Sequence, residues 1–321
     1  MKYIIKPIAL LLTIFSCGEI ETVIDLEIPT HDPVLVLNGR LDTDTNIQIL
    51  VSKSVGAFDI ASPSMINDAD VLLFENNQFI DSLELDLNNT IYPYINDGNW
   101  NTSTTIAMNY YKTNYIPIKD KTYMIEVSHP DYNSIYATTY IPEDIILYNI
   151  SIDSISNSDN INFQFSFNDN IDQNNFYALS LNVSCSKVHE DYWGYVDDYD
   201  YRGQVEMNSN DPSFPINEIL SGYTFSGEKV VFNDALFNGQ QKNISIDVLT
   251  EDFKYSKCDT IKFEFSTFSD DAYRYYNSLS EQREKGDLDI FGGEVVPVYT
   301  NVTNGLGILI SKNAQEVYIK P

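Results

Sequence analysis

Cys17 is the residue whose surroundings define a chemistry most sharply. It follows Ser16 and an apolar run from Ile8 to Phe15, itself preceded by Lys2 and Lys6. A basic start, a short apolar stretch and a small residue before cysteine make a signal peptide ending in a lipobox, where the thiol is acylated and the preceding residues are removed. The apolar run falls well short of the roughly twenty residues that a helix needs to cross the hydrocarbon. Ile14 and Phe15 are not the commonest residues before such a cysteine, so cleavage near Cys17 without a lipid stands as the alternative. On the lipoprotein reading Cys17 carries fatty acid such as palmitate, and residues 18–22 begin a polar tether.

Other reactive side chains are few. Cys185 and Cys258 pair in an oxidising compartment, restricting the unfolded chain by roughly 4 kcal/mol, or remain two buried thiols. Asp197, Asp198 and Asp200, within Tyr195-Val-Asp-Asp-Tyr-Asp-Tyr201, are the densest acidic cluster. Alternating carboxylates on a loop suit a hard cation such as calcium, but the glycine and distal glutamate of an EF-hand are missing, so a solvated loop is expected and no metal. His31, His129 and His189 belong to no catalytic or ligating motif, and His189, beside Glu190 and Asp191, reads as an exposed histidine among acids. A glycosidase needs only two carboxylates across a cleft, and a chain with 47 acids supplies them anywhere, so their abundance carries no information. Neither an enzyme nor a cofactor beyond the lipid is expected.

Aromatic residues are abundant, with 23 tyrosines, and several fall where periodicity is weak. Tyr92, Tyr94, Trp100, Tyr110 and Tyr111 form one group; Tyr192, Trp193, Tyr195, Tyr199 and Tyr201 form another. An apolar ring with a polar tip suits contact with sugars, peptides or another protein, and suits equally well the sealing of a sandwich end. Trp100, Tyr110, Tyr111, Trp193, Tyr195 and Tyr199 are therefore the candidate contacts. The formal charge of -28 becomes more negative once Lys2 and Lys6 leave with the leader. Such a field repels phosphate backbones and anionic lipid surfaces, which disfavours nucleic acid as a partner and leaves solubility or an acidic-partner role to explain the charge.

The elements that must position these side chains are mostly strands. Ile47, Ile49 and Val51 alternate with mainly polar neighbours, as do Tyr123, Ile125 and Val127, each set lining one face of a half-buried strand. Residues 34–37 suit a central strand. Residues 71–75 and 79–83 flank Asn76-Asn77, which predicts a tight hairpin. Residues 88–118 have little periodicity and read as an irregular connection or a frayed hairpin. Pro142, after Ile141, marks a domain boundary. Beyond it Ile161, Phe163, Phe165 and Phe167 share a face, as do Tyr177, Leu179, Leu181 and Val183; Ile244, Ile246 and Val248 and then Ile261, Phe263 and Phe265 repeat the pattern. One helix is expected near 270–285, capped by Ser269, acidic at Asp270 and Asp271 and ended by Lys285 and Gly286, covering an edge or face of the second sheet. Final strands are expected over 294–302 and 306–310, with another near Val317. The expectation is a mainly β chain: leader 1–16, lipidated tether 17–26, and two β-sandwich domains, 27–142 and 143–321, of the Ig-like or carboxypeptidase-regulatory-like kind.

Several stretches resemble the DUF4249 lipoproteins of Bacteroidota. They are the lipobox, Val34-Leu-Val-Leu-Asn-Gly39, Lys121-Thr-Tyr-Met-Ile-Glu-Val-Ser-His-Pro130, the Ile141-Pro142 boundary, Phe232-Asn-Asp-Ala-Leu-Phe-Asn-Gly239, the helix over 271–283, and Val296-Pro-Val-Tyr-Thr-Asn-Val-Thr-Asn-Gly-Leu-Gly307. The last is the most specific. The resemblance implies a two-domain, β-rich, outer-membrane lipoprotein of unassigned activity, often encoded beside a TonB-dependent transporter, and it brings no agreed catalytic residues. Glu19 and Glu21 are similar to the acidic signal that sends lipoproteins of this phylum to the cell surface, although Ile20 interrupts it and leaves a periplasmic orientation open. The function expected is that of a surface-exposed accessory or ligand-capture partner of such a β-barrel transporter; the alternative is a structural subunit of an assembly, secretion or motility complex.

Overall fold

Asn76 and Asn77 carry the chain through left-handed backbone, with φ of 48° and 66°. That is the geometry of a two-residue hairpin turn, and it joins β4 (Asp70–Glu75) to β5 (Gln78–Leu85) as predicted. The computed structural model of the chain describes residues 32–56, 64–96, 103–152, 160–190, 196–218, 221–249, 256–286 and 296–319. Cys17 with its leader, Trp100, Trp193 and Tyr195 lie outside the described residues.

The first half contributes β1 (Leu35–Asp42), β2 (Gln48–Lys53), β3 (Ser64–Met65), β6 (Tyr94–Asn96), β7 (Ser103–Thr105), β8 (Tyr111–Lys112), β9 (Lys121–His129) and β10 (Tyr132–Ile141). Period-two patterning directs Ile49, Val51, Tyr123, Ile125 and Val127 into one buried core with Leu35, Leu37, Leu73 and Ile135. The strands run in the order β10-β9-β4-β5-β8-β2-β1, and β10 packs back against β1, so the two ends of the run enclose that core. Where periodicity fails, over 88–118, the strands are two or three residues long: β6 pairs with β7, and Ile91 bridges to Met108.

The second half contributes β11 (Tyr148–Ile152), β12 (Asn160–Asn168), β13 (Phe176–Glu190), β14 (Val196–Gln204), β15 (Met207–Ser209), β16 (Phe225–Gly227), β17 (Lys229–Asn233), β18 (Gln241–Leu249), β19 (Ser256–Phe268), helix α1 (Asp270–Gly286) and β20 (Leu306–Ile319). A sheet ordered β11-β12-β18-β15-β16 closes over β13, β17 and β19 around an aromatic core. Phe165 meets Phe263 edge to face at 4.8 Å, and Tyr177 lies 5.0 Å from Phe167, arrangements that add to the burial of their area. At one end of this core, buried Asp169 accepts from the Tyr177 hydroxyl, from Gly239 N–H at 2.7 Å and from the Asn175 amide at 3.2 Å. Asp234 accepts Asn175 N–H at 2.7 Å, which explains the Asp of the 232–239 stretch as a structural clasp.

The chain is mainly β with one helix among the described residues, in agreement with expectation, but its C-terminal end departs from it. One uninterrupted strand, β20, replaces the separate strands expected over 306–310 and near Val317, and residues 296–302 are not a strand. β20 pairs in parallel with β1 and antiparallel with β19, so a single sheet runs through both halves. Leu309 belongs to the first core while Val317 packs on the second. Residues 296–305 are held by a backbone bridge between Thr303 and Tyr136 and by side chains: the Asn301 amide donates to Leu309 O at 2.8 Å and accepts Leu309 N–H at 3.0 Å, doing for β20 what a neighbouring strand's backbone would. Asn304 turns at φ 61°, and Gly307, at φ 106°, lies where any Cβ would overlap the Leu37 carbonyl. This explains the Asn-x-x-Asn-Gly-x-Gly part of the most specific stretch. The Asp197–Tyr201 segment, expected as a loop, is part of β14, paired with β13. No helix among the described residues is long and apolar enough to cross a membrane.

Candidate functional site

Helix α1 starts where the sequence places it. Ser269 Oγ accepts Ala272 N–H at 3.2 Å, satisfying a first-turn donor, and also accepts Ser311 N–H at 3.3 Å, which ties the cap to β20. The helix lays Ala272, Tyr275 and Tyr276 on Ala178, Phe268, Ile308 and Ile310, covering the face of the sheet that points away from both cores. Its other flank is fastened by Tyr299, whose hydroxyl donates to Asp271 and whose N–H donates to Ser278 Oγ, both at 2.8 Å.

Because one helix is narrower than the sheet beneath it, clefts open along its sides. One, about 900 Å³, lies between α1 and the strands β13, β19 and β20. A second, about 530 Å³, shares Arg40 with it and is walled by Tyr110, Tyr275, Asn46 and Gln48. A third, about 520 Å³, shares Lys229 and Tyr276 and continues towards Phe214 and Asn277.

The large cleft inverts the charge of its surroundings. Acids outnumber Lys and Arg 47 to 19 in the chain, yet Arg40, Lys229, Lys262 and Lys312 line this cleft against one carboxylate, Glu264. Part of that charge is neutralised along a ladder crossing three strands. Lys312 Nζ lies 2.8 Å from Glu264 and 3.2 Å from Asp42, and Lys262 pairs with Glu316. Burial alone would raise the Glu264 pKa, but the hydrogen bond and charge of Lys312 hold it below the ordinary value; burial would lower Lys312, yet Glu264 and Asp42 hold it above. Lys229 and Arg40 have no carboxylate partner among the described residues. The Lys229 ammonium sits 5.2 Å from the Phe268 ring centre and 5.0 Å from that of Tyr276. Crowding by protein and then the like charges of Lys312 and Arg40 lower its pKa. Asn182, Gln204, Ser180 and Ser184 add neutral hydrogen-bonding groups. The arrangement can bind and orient a polar, negatively charged group.

The residues singled out from sequence scatter. Tyr110 is half-buried in the wall of the second cleft, whereas its neighbour Tyr111 is 3% exposed, donates to Ile66 O at 3.0 Å and accepts Ala69 N–H at 2.9 Å. Tyr111 is thus a core residue rather than a contact. Tyr199, Asp197, Asp198 and Asp200 all lie in β14. No group of three or more metal-ligating side chains occurs among the described residues. Cys185 and Cys258 are direct partners across β13 and β19, just past a bulge at Ser184–Cys185. The cleft cations went unnoticed in the sequence because they come from positions 40, 229, 262 and 312. The available signal was period two: Lys312 follows Ile308 and Ile310, and Lys262 and Glu264 lead to Phe268, all on the face that α1 covers.

Compared with known families, residues 21–316 match one family model, described as a domain of unknown function (DUF4249). A search of curated proteins finds no match.

Proposed function

The chain belongs to the DUF4249 family, and from that premise we propose that it is a lipid-anchored outer-membrane protein, facing the cell exterior, that captures a ligand for a neighbouring TonB-dependent β-barrel transporter. Its role is to bind rather than to catalyse. The observation that carries the reading is the cleft beside α1, where cationic, amide and aromatic side chains from six strands and the helix converge in a strongly acidic chain. A cleft with a few convergent polar groups is the usual form of a small-molecule site. The leader and Cys17 support the anchor, which holds the cleft at the barrel mouth, so that effective concentration substitutes for a tight protein–protein interface.

The test is to tag the full-length protein in its own cells, extract it in mild detergent and identify what co-purifies. A transporter barrel is the expected companion. Recovery of a multi-subunit secretion or motility assembly would replace the capture role with a structural one, and recovery of no barrel would overturn the partnership. Cys17→Ala should move the protein out of the membrane fraction; a variant that stays there would remove the anchor from the proposal.

A further inference from the structure

We propose that the large cleft beside α1 is a receptor for an oxyanion, the carboxylate or phosphate of a small polar molecule, held between Lys229 and Arg40. The inference rests on reading this cleft as the binding site and names the chemistry of what enters it. Four of the chain's 19 basic side chains line one cavity of about 900 Å³. Lys312 and Lys262 are occupied by Glu264, Asp42 and Glu316, and their work is to join β1, β19 and β20. Lys229 and Arg40 do no such work: neither is paired to a carboxylate among the described residues, and Lys229 meets the like charges of both Lys312 and Arg40. An arriving oxyanion relieves that repulsion and gains charge-assisted hydrogen bonds, the strong kind. Phe268 and Tyr276 hold the Lys229 ammonium from one side, which limits its freedom before any ligand arrives.

The surrounding charge sets the size of the ligand. A chain of net charge -28 repels polyanions at long range, so nucleic acid and sulfated polymers are turned away. One or two negative charges carry little of that penalty and meet a locally positive cavity. The volume exceeds what a bare ion fills, and Asn182, Gln204, Ser180 and Ser184 offer neutral hydrogen bonds to the rest of the molecule. A sugar acid, an acidic dipeptide and a phosphate ester share this chemistry.

Isothermal titration of the detergent-solubilised full-length protein tests it, with inorganic phosphate, galacturonic acid and aspartyl-aspartate as probes and glucose as the neutral control. At least one anion should bind with 1:1 stoichiometry, weakening with salt, while glucose gives no comparable signal. Preference among the three distinguishes phosphate from carboxylate, and sugar from peptide. Lys229→Met and Arg40→Met should each weaken binding about tenfold or more, and Lys229→Arg should retain most of it. Circular dichroism matching the parent protein separates lost binding from lost folding. Absence of anion binding to the parent protein, or binding unchanged in both methionine variants, overturns the proposal. No barrel takes part in the titration, so the ligand chemistry and the transporter partnership fail independently.

Discussion

Gly307 is where β20 passes closest to β1. At φ 106°, with the Leu37 carbonyl filling the place of any Cβ, alanine there meets both a disfavoured backbone and a backbone overlap. Gly307→Ala should cost at least about 3 kcal/mol in urea unfolding. The Glu264–Lys312 pair supplies a pH signature. Glu264 has its pKa lowered from 4.5, so its contribution is complete above 4.5 and lost as pH falls through the folded value; Lys312, raised from 10.5, contributes below 10.5 and loses that contribution as pH rises through its own. Glu264→Gln should therefore destabilise the protein at neutral pH and flatten the acid limb of its stability profile. An unchanged acid limb would assign that limb to other carboxylates. Cys185 and Cys258 are register partners on antiparallel strands, and such partners lie about 4.5–5.5 Å apart at Cα, a separation that a disulfide spans. Protein isolated from an oxidising compartment should lose two hydrogens in intact mass relative to a reduced sample. At this scale the sequence was legible only for types. Tyr110 and Tyr111 look alike in it, and only the pairing of Tyr111 with Ile49 and Leu85 decides which ring is buried.

Elements with strong periodicity or capping residues were readable, and those shaped by a junction were not. α1 was visible because Ser269, Asp270 and Asp271 satisfy and complement its first turn, and its register with the sheet follows from Ala272 and Tyr276. β20 was not visible as one strand because Ser311, Lys312 and Asn313 interrupt its apolar pattern. Those polar residues sit where the strand crosses between the halves. Ser311 Oγ donates to Tyr140 O at 2.5 Å, and Asn313 Nδ2 donates to Pro142 O at 3.1 Å and to Asp144 at 2.9 Å. Both are buried, so they answer backbone groups of the connection that water cannot reach. Asn313→Leu keeps the branched shape of the side chain and strands those acceptors, and should cost about 2 kcal/mol in the same denaturation measurement. A cost near zero would mean that water replaces the amide there.

For the molecule as a whole, core residues up to Ile141 gather in one cluster and most of those from Ile145 onward in another, until the last strand joins the two. Composition and alternation made the β class legible. They could not reveal the join, because the parallel pairing of β1 with β20 links residues about 270 positions apart and leaves no local trace. Both halves border the same strand, so heat or urea should unfold them in one transition, followed equally by the tyrosines of either half. Ending the chain after Gly305 should leave both cores open and yield no folded protein; a stable first half from that truncation would show that β10 alone can close it.

The placement of that shared strand has a consequence in time. A polypeptide made from its N-terminal side has both cores waiting for β20. Until that strand is made, neither core can close.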